Sequence, residues 1–135
     1  MFDLQVSYDP ETNIAIHKLI GKPESEQEVK DHYMKVVENM QKGGESMVWS
    51  INDLTELKLG NVKLVKLYNR LILPHKKKHI FDYVVVCNNP LQKVATMLYN
   101  TFSGERHPIF SKIEDAKNWI FSRQEETEKY PPKNS

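Results

Sequence analysis

The architecture of this chain is set by the stretch Ile80-Phe-Asp-Tyr-Val-Val-Val-Cys-Asn-Asn-Pro90. Tyr83 to Cys87 are apolar at consecutive positions, which is typical of a strand covered on both faces at the centre of a parallel sheet. The run is β-branched and aromatic, as strands prefer, and it is too short for an ordinary helix. Asn89 and Pro90 then end the strand and begin a helix, with Asn89 as the cap and Pro90 at the first position.

The flanking sequence predicts the element order β-β-α-β-α-β-α-β-α. Residues 2–6 alternate apolar and polar side chains, which indicates an edge strand, and residues 14–20 complete an antiparallel hairpin with it. The other predicted elements are a helix from the Ser25–Glu28 capping box to Gly43, a strand at 47–51, a loop at 54–60, a helix at about 62–73 ended by Pro74, a helix at 91–102, a strand at 107–110, and a last helix opened by Ser111 and Glu114.

This order predicts a single α/β domain with a five-stranded mixed sheet. Each helix can join two parallel strands by a right-handed crossover, so strands two to five are expected to be parallel and the first strand antiparallel on one edge. The domain is predicted to cover residues 1–123. Residues 124–135 are polar and end in Tyr-Pro-Pro-Lys-Asn-Ser, which predicts a flexible tail.

The composition of the chain indicates which classes of partner and which cellular compartment are expected. With 135 residues, 39% of them hydrophobic and 27% charged, the chain has the composition of one soluble globular domain. Its 19 basic and 18 acidic residues leave a net charge of +1, which argues against nucleic acid or an anionic membrane as the main partner. One cysteine allows neither an intramolecular disulfide nor a cysteine-based zinc site. No apolar run approaches the roughly 18 residues of a membrane span, and we expect a cytoplasmic protein.

Two segments together resemble the STAS-like family, whose members have the SpoIIAA-like fold of bacterial anti-sigma-factor antagonists. One is the Val-rich strand entered from the basic segment Lys76-Lys-Lys-His79. The other is Pro108-Ile-Phe-Ser-Lys-Ile-Glu-Asp-Ala-Lys-Asn-Trp-Ile120, which is similar to the short strand, Phe and Ala-x-x-Trp-hydrophobic helix that often end the family's domains. The resemblance covers roughly residues 2–122, and the same fold class includes CRAL-TRIO lipid-binding domains.

One feature of the family is missing from this sequence. Anti-sigma-factor antagonists have a phosphorylatable serine at the start of the second helix, in a turn similar to Asp-Ser-Ser-Gly. The corresponding residues here, Asp53 to Val62, contain Thr55 but no serine, and Thr55 comes too early. The resemblance therefore implies the fold without the family's phosphorylation switch.

Four polar residues are expected at the carboxyl ends of the parallel strands, where open α/β sheets bind ligands and helix N-termini offer free N–H groups. They form a possible polar ligand rim, and the alternative interpretation is that they only cap helices. These residues are Asp53, Asn88, Asn89 and Ser111.

No catalytic, cofactor or metal site is predicted. His75 and His79 are four residues apart, but Pro74 and the three lysines between them argue against a shared helix face. The basic run 76–78 is interpreted as a solvated loop before a buried strand, and Cys87 as a packing residue. The two tryptophans of the chain are interpreted as core residues.

An excess of apolar residues at 57–73 is the most unusual feature of the sequence, because a solvent-facing helix needs only one apolar stripe. Three interpretations stay open: a dimer or partner surface, a lid over an apolar pocket, or a more deeply buried helix. The residues that define this possible interaction surface are Leu57, Leu59, Leu67 and Leu73.

The sequence therefore predicts a non-enzymatic regulatory or protein-interaction module of STAS-like type, acting on a protein partner or as a homodimer. Its interaction surface is expected on the second helix, the preceding loop and the third helix. The alternative is a binder of a small apolar or lipid-like ligand, which the resemblance to CRAL-TRIO domains implies. An enzyme is not predicted, because no nucleophile–base pair or carboxylate dyad can be named.

Overall fold

The computed structural model describes residues 2–44, 46–58, 62–90 and 108–129. The helix predicted at 91–102 lies outside these residues. The described elements are the strands β1 (Phe2–Asp9), β2 (Ile14–Gly21), β3 (Val48–Leu57), β4 (Ile80–Val86) and β5 (Ile109–Phe110), the helices α1 (Glu26–Met40), α2 (Val62–His79) and α3 (Ile113–Lys129), and a 3-10 turn at Gln41–Gly43.

The five strands form one mixed sheet in the order β1-β2-β3-β4-β5. The edge strand β1 pairs antiparallel with β2, from Phe2 opposite Gly21 to Asp9 opposite Ile14. The pairs β2–β3, β3–β4 and β4–β5 are all parallel. The predicted fold class, with strands two to five parallel and the first strand antiparallel at an edge, is confirmed.

The central strand β4 is buried on both faces, as its consecutive apolar residues predict. Val84, Val85 and Val86 are 0%, 5% and 1% exposed. Val85 packs in the core under α1 and α2, whereas Val84 and Val86 pack under α3. Each buried valine contributes on the order of 1.5 kcal/mol or more to the free energy of unfolding, so this strand ties the two layers together.

The helices divide between the two faces of the sheet for a topological reason. The strands β2, β3 and β4 follow one another across the sheet, so right-handed crossovers place α1 and α2 on the same face. The helix α3 follows β5 and covers the opposite face, where Ala116 and Ile120 pack against β3 and β4. The domain therefore has two hydrophobic cores, one on each side of the sheet.

The start of α1 confirms the first predicted capping box. The Ser25 hydroxyl accepts a hydrogen bond from the Glu28 backbone N–H at 3.2 Å. The Glu28 carboxylate in turn accepts one from the backbone N–H of Glu24 at 2.9 Å. The first bond satisfies an N–H group that the first turn of a helix leaves without a partner, and the second joins Glu28 to the residue before the cap.

Two predicted element boundaries on the α2 side are wrong. The strand β3 continues to Leu57, so residues 54–57 are strand and not loop, because β2 still pairs with them as far as Gly21 opposite Leu57. The helix α2 continues through Pro74 to His79. Pro74 has no N–H to donate to the Arg70 carbonyl, but tertiary packing keeps the last turn helical.

The predicted boundary of the C-terminal tail is also wrong in part. The helix α3 extends to Lys129, so residues 124–129 are helical, and residues 130–135 lie outside the described residues. The Gln124 side-chain amide donates a hydrogen bond to the Thr12 carbonyl at 2.6 Å, which fixes this end of α3 to the β1–β2 turn. The polar composition of residues 124–127 is that of a helix that is exposed or half-buried. Within the described ranges, no helix is long and apolar enough to cross a membrane.

Candidate functional site

The four residues predicted as a polar rim lie towards one edge of the sheet. Asp53 lies within β3, opposite Val86 at the end of β4, whereas Asn88 and Asn89 follow β4 and Ser111 follows β5. These three strands are parallel neighbours, so the four residues share the carboxyl edge. Asp53 is buried at 2% exposure, whereas the other three are exposed.

Asp53 has a structural task at this edge. One carboxylate oxygen, Oδ1, accepts hydrogen bonds from the Thr55 backbone N–H at 3.0 Å and from the Thr55 hydroxyl at 2.6 Å. Lys18 lies opposite Asp53 in the β2–β3 register and forms an ion pair with Glu56. The hydrogen bond to Glu56, followed by the charges of Glu56 and Asp53, raises the pKa of Lys18. Asp53 therefore stabilises the C-terminal half of β3, and no local pattern in the sequence predicts the Lys18–Glu56 pair.

Thr55 is a poor site for phosphorylation in this structure. It lies within β3, is half-buried, and donates its hydroxyl proton to Asp53. A phosphate would add about −1.5 to −2 charges at pH 7 next to the carboxylates of Asp53 and Glu56, which is unfavourable.

The predicted interaction surface is only partly a surface. Leu57, Leu67 and Leu73 are each half-buried, and Leu59 lies outside the described residues. Leu57 packs against the core under α1 and α2. Leu67 and Leu73 are six residues apart, which at 3.6 residues per turn places them about 120° apart around the axis of α2. They do not form one patch.

A different set of α2 residues forms a continuous row. Val65, Asn69 and Leu73 are spaced four residues apart and follow one flank of the helix. Val65 is 41% exposed and is one of the few large apolar side chains that are exposed in the described residues. We call these three residues the Val65 row. Most apolar residues of α2 are buried or half-buried, which explains most of the apolar excess, and Val65 is the member of the row that is exposed.

A buried polar cluster under α1 was missed by the sequence analysis. His17 of β2 is 1% exposed, and its Nδ1 lies 3.2 Å from the Ser50 hydroxyl of β3. Its Nε2 lies 3.1 Å from the Asn39 side-chain amide of α1, which also donates to the Ser7 carbonyl at 2.9 Å. The cluster thus joins α1 to three strands. Its signal in the sequence is His17 in an apolar strand, at a position that faces inward.

The hydrogen bonds fix the protonation state of His17. The Asn39 amide nitrogen can only donate, so Nε2 accepts and the proton sits on Nδ1, which donates to Ser50. Burial, and secondly the positive charge of Lys76, lower the pKa of His17 from 6.5 to about 3. His17 is therefore neutral at physiological pH, and its role in this cluster is structural.

The prediction that His75 and His79 do not share a helix face is wrong. Because α2 continues through Pro74, both residues lie one turn apart on the same side, with ring centroids 6.4 Å apart and ring planes 10° apart. The ring of Tyr33 from α1 lies 6.1 Å from that of His75. Burial, followed by the charges of Lys78 and His75, lowers the pKa of His79.

An open groove lies on the other face of the sheet, beside α3. Its volume is about 210 Å³, and its apolar floor is formed by Ile14, Ile16 and Phe121. Phe121 is 42% exposed, and Lys117 and Asp9 place opposite charges at the margin. The groove is smaller than the roughly 300–1,000 Å³ of typical small-molecule sites.

Comparison with solved structures identifies the fold. A crystal structure of an uncharacterised protein of the DUF3478 family, with a SpoIIAA-like fold, from Shewanella loihica PV-4 matches with a TM-score of 0.62 and 19% identity, covering 88% of this chain and 93% of that one. An anti-sigma factor antagonist from Mycobacterium paratuberculosis matches with a TM-score of 0.53 and 16% identity, covering 89% and 94%.

This chain therefore has the SpoIIAA-like fold, in agreement with the STAS-like resemblance of its sequence. The similarity spans nearly the whole length of both solved proteins, so the likeness concerns a complete domain. No protein-family model matches the sequence, and no curated protein matches it. At these identities the likeness to the two solved proteins defines the fold of this chain and nothing beyond the fold.

Proposed function

We propose that the protein is a non-enzymatic regulatory module that acts by binding another protein, either a different chain or a second copy of itself. The observation on which this proposal rests most is the SpoIIAA-like fold, which this chain shares with an anti-sigma factor antagonist. The hydrogen bonds of Asp53 and of the His17 cluster support it, because they stabilise the domain itself. A cytoplasmic location remains a prediction.

The Val65 row is the proposed contact surface. It combines an exposed valine, a polar side chain and a half-buried leucine along about 12 Å of one helix flank. Exposed apolar patches favour an interface, and Val65 supplies the exposed apolar side chain of this flank. The row includes Leu73 of the four leucines predicted from the sequence and leaves out Leu67, which lies on a different flank of α2.

Site-specific photo-crosslinking tests the proposal. A photoreactive amino acid is placed at position 65, and the protein is irradiated in its native cells. We expect one discrete adduct, either with one other protein or with a second copy of this chain. The matched control carries the same amino acid at position 34 on α1, because Met34 is an apolar residue with 59% exposure outside the Val65 row.

The control separates a defined surface from general stickiness. The proposal predicts that position 65 forms the adduct and position 34 does not. No adduct at either position, or equal adducts at both, would refute the Val65 row as the contact surface. Adduct formation at position 34 alone would move the interface to α1.

A small apolar ligand is the second candidate function, and the groove beside α3 is the observation that favours it. Ile14, Ile16 and Phe121 could contact one flat or chain-like apolar group. Native mass spectrometry of the purified protein would then show a co-purifying mass that disappears in Phe121→Ser. An unchanged spectrum for the variant, or no added mass in the parent protein, rejects this candidate.

A further inference from the structure

His75 and His79 form a pair that the proposed function does not use. They occupy positions i and i+4 in the last turns of α2, where side chains on one helix face have Cβ atoms about 6 Å apart. Both residues are half-buried, and their ring centroids are 6.4 Å apart. Two histidines at this spacing on a helix can direct one nitrogen each to the same metal ion.

We propose that His75 and His79 form a two-point binding site for a transition-metal ion of the Cu²⁺, Ni²⁺ and Zn²⁺ group. Each imidazole nitrogen would approach the metal to about 2.0–2.1 Å after side-chain rotation of the two rings towards each other. Within the described parts of the chain, no group of three or more His, Cys, Asp or Glu side chains is placed to hold a metal. We expect water at the remaining coordination positions of the metal.

The charges around the two histidines have opposite effects on the binding of a cation. Lys77 and Lys78 lie in the same turn and repel a cation, but both are exposed and screened by solvent. Lys76 is directed towards the sheet, with its Nζ 4.3 Å from the centroid of the Tyr83 ring. The turn is the C-terminal end of α2, where the helix dipole is negative and favours a cation.

Both donor atoms are imidazole nitrogens, which bind divalent transition metals in their neutral form. A site built from imidazole nitrogens alone follows the general affinity order of divalent metals. Cu²⁺ is therefore expected to bind more tightly than Ni²⁺ or Zn²⁺.

In the experiment, the untagged full-length chain is titrated with Cu²⁺, and binding is measured by calorimetry and by electron paramagnetic resonance. We expect one Cu²⁺ per chain with a signal typical of nitrogen ligation. His75→Asn or His79→Asn should each weaken binding roughly 100-fold, because each leaves a single imidazole in place of a two-point chelate. Lys77→Asn is the matched control and should retain binding, since it changes the same turn without removing a ligand.

The outcomes distinguish a defined chelate from scattered binding to exposed side chains. Loss of the tight site in both histidine variants, with retention in the lysine control, supports the proposal. Equal Cu²⁺ affinity in all variants overturns the proposal. The proposal is also overturned if the parent chain binds Cu²⁺ no more tightly than the His75→Asn/His79→Asn double variant does. Circular dichroism of each variant confirms that α2 is intact, so that a folding defect is not mistaken for ligand loss.

Discussion

Acidification should destabilise this protein through His17. In the folded chain the pKa of His17 is about 3, against 6.5 for an unperturbed histidine. Between these two values the unfolded chain binds a proton that the folded chain does not, so the free energy of unfolding falls as the pH is lowered. The stabilising effect of neutral His17 is complete above pH 6.5 and is lost progressively towards pH 3.

The size of the effect follows from the same pKa values. Each pH unit below 6.5 costs about 1.4 kcal/mol, so lowering the pH from about 7.5 to about 5 should remove about 2 kcal/mol. Solvent screening does not reduce this free-energy change, because His17 is only 1% exposed. Native domains have only about 5–15 kcal/mol of stability, so this is a substantial fraction.

The assay is urea unfolding at the two pH values, for the parent chain and for His17→Gln. Other titrating groups change both proteins alike, so the difference between their pH dependences isolates His17. We expect the parent to lose about 2 kcal/mol more than the variant. Equal pH dependence in both would refute the reasoning. If His17→Gln does not fold, an NMR titration of His17 in the parent chain tests the same prediction. A pKa near 6.5 for His17 would contradict the claim that this side chain is buried in its neutral form.

Three further substitutions test local features of the fold by denaturant unfolding. Asn39→Ala leaves the His17 ring nitrogen and the Ser7 carbonyl without their hydrogen-bond donor, and it should lower the free energy of unfolding by about 2 kcal/mol. The control is Glu38→Ala at the neighbouring exposed position, which should change the free energy of unfolding by less than about 0.5 kcal/mol. Ser25→Ala removes the cap of α1 and should cost about 1 kcal/mol; an unchanged midpoint would contradict the capping geometry. Gly43→Ala places a Cβ 2.6 Å from Val48 Cγ1, on a β-branched and fully buried side chain, and should cost about 1–3 kcal/mol. A Gly43→Ala variant as stable as the parent would show that Val48 can move.

The sheet could be predicted from the sequence because its signals are local and strong. The apolar run at 83–87 requires two covered faces, and the order of the elements then leaves few topologies. The capping box at Ser25 and the edge character of β1 depend on neighbouring residues alone, and the structure agrees with both.

The errors fall where tertiary contacts override local signals. Pro74 predicts a helix end, but the packed helix continues past it to His79, and this placed two histidines on one face. The composition of the residues after 123 is typical of a flexible tail, but the Gln124 side chain donates a hydrogen bond to the β1–β2 turn. The His17 cluster could not be predicted from the sequence, because its hydrogen-bonded partners are 22 to 33 residues apart along the chain and meet only through the crossover of α1.

The size of the protein in native cell extract tests whether the Val65 row is a binding surface. Size-exclusion chromatography is performed on extracts of cells that express the parent chain, Val65→Glu or Met34→Glu. Glutamate near the N-terminus of α2 is compatible with the helix dipole, so Val65→Glu should fold. We predict that the parent and Met34→Glu elute in a complex larger than the 15.8 kDa chain, and that Val65→Glu elutes as a monomer. A parent protein that elutes as a monomer, or a Val65→Glu variant that stays in the complex, would contradict the account.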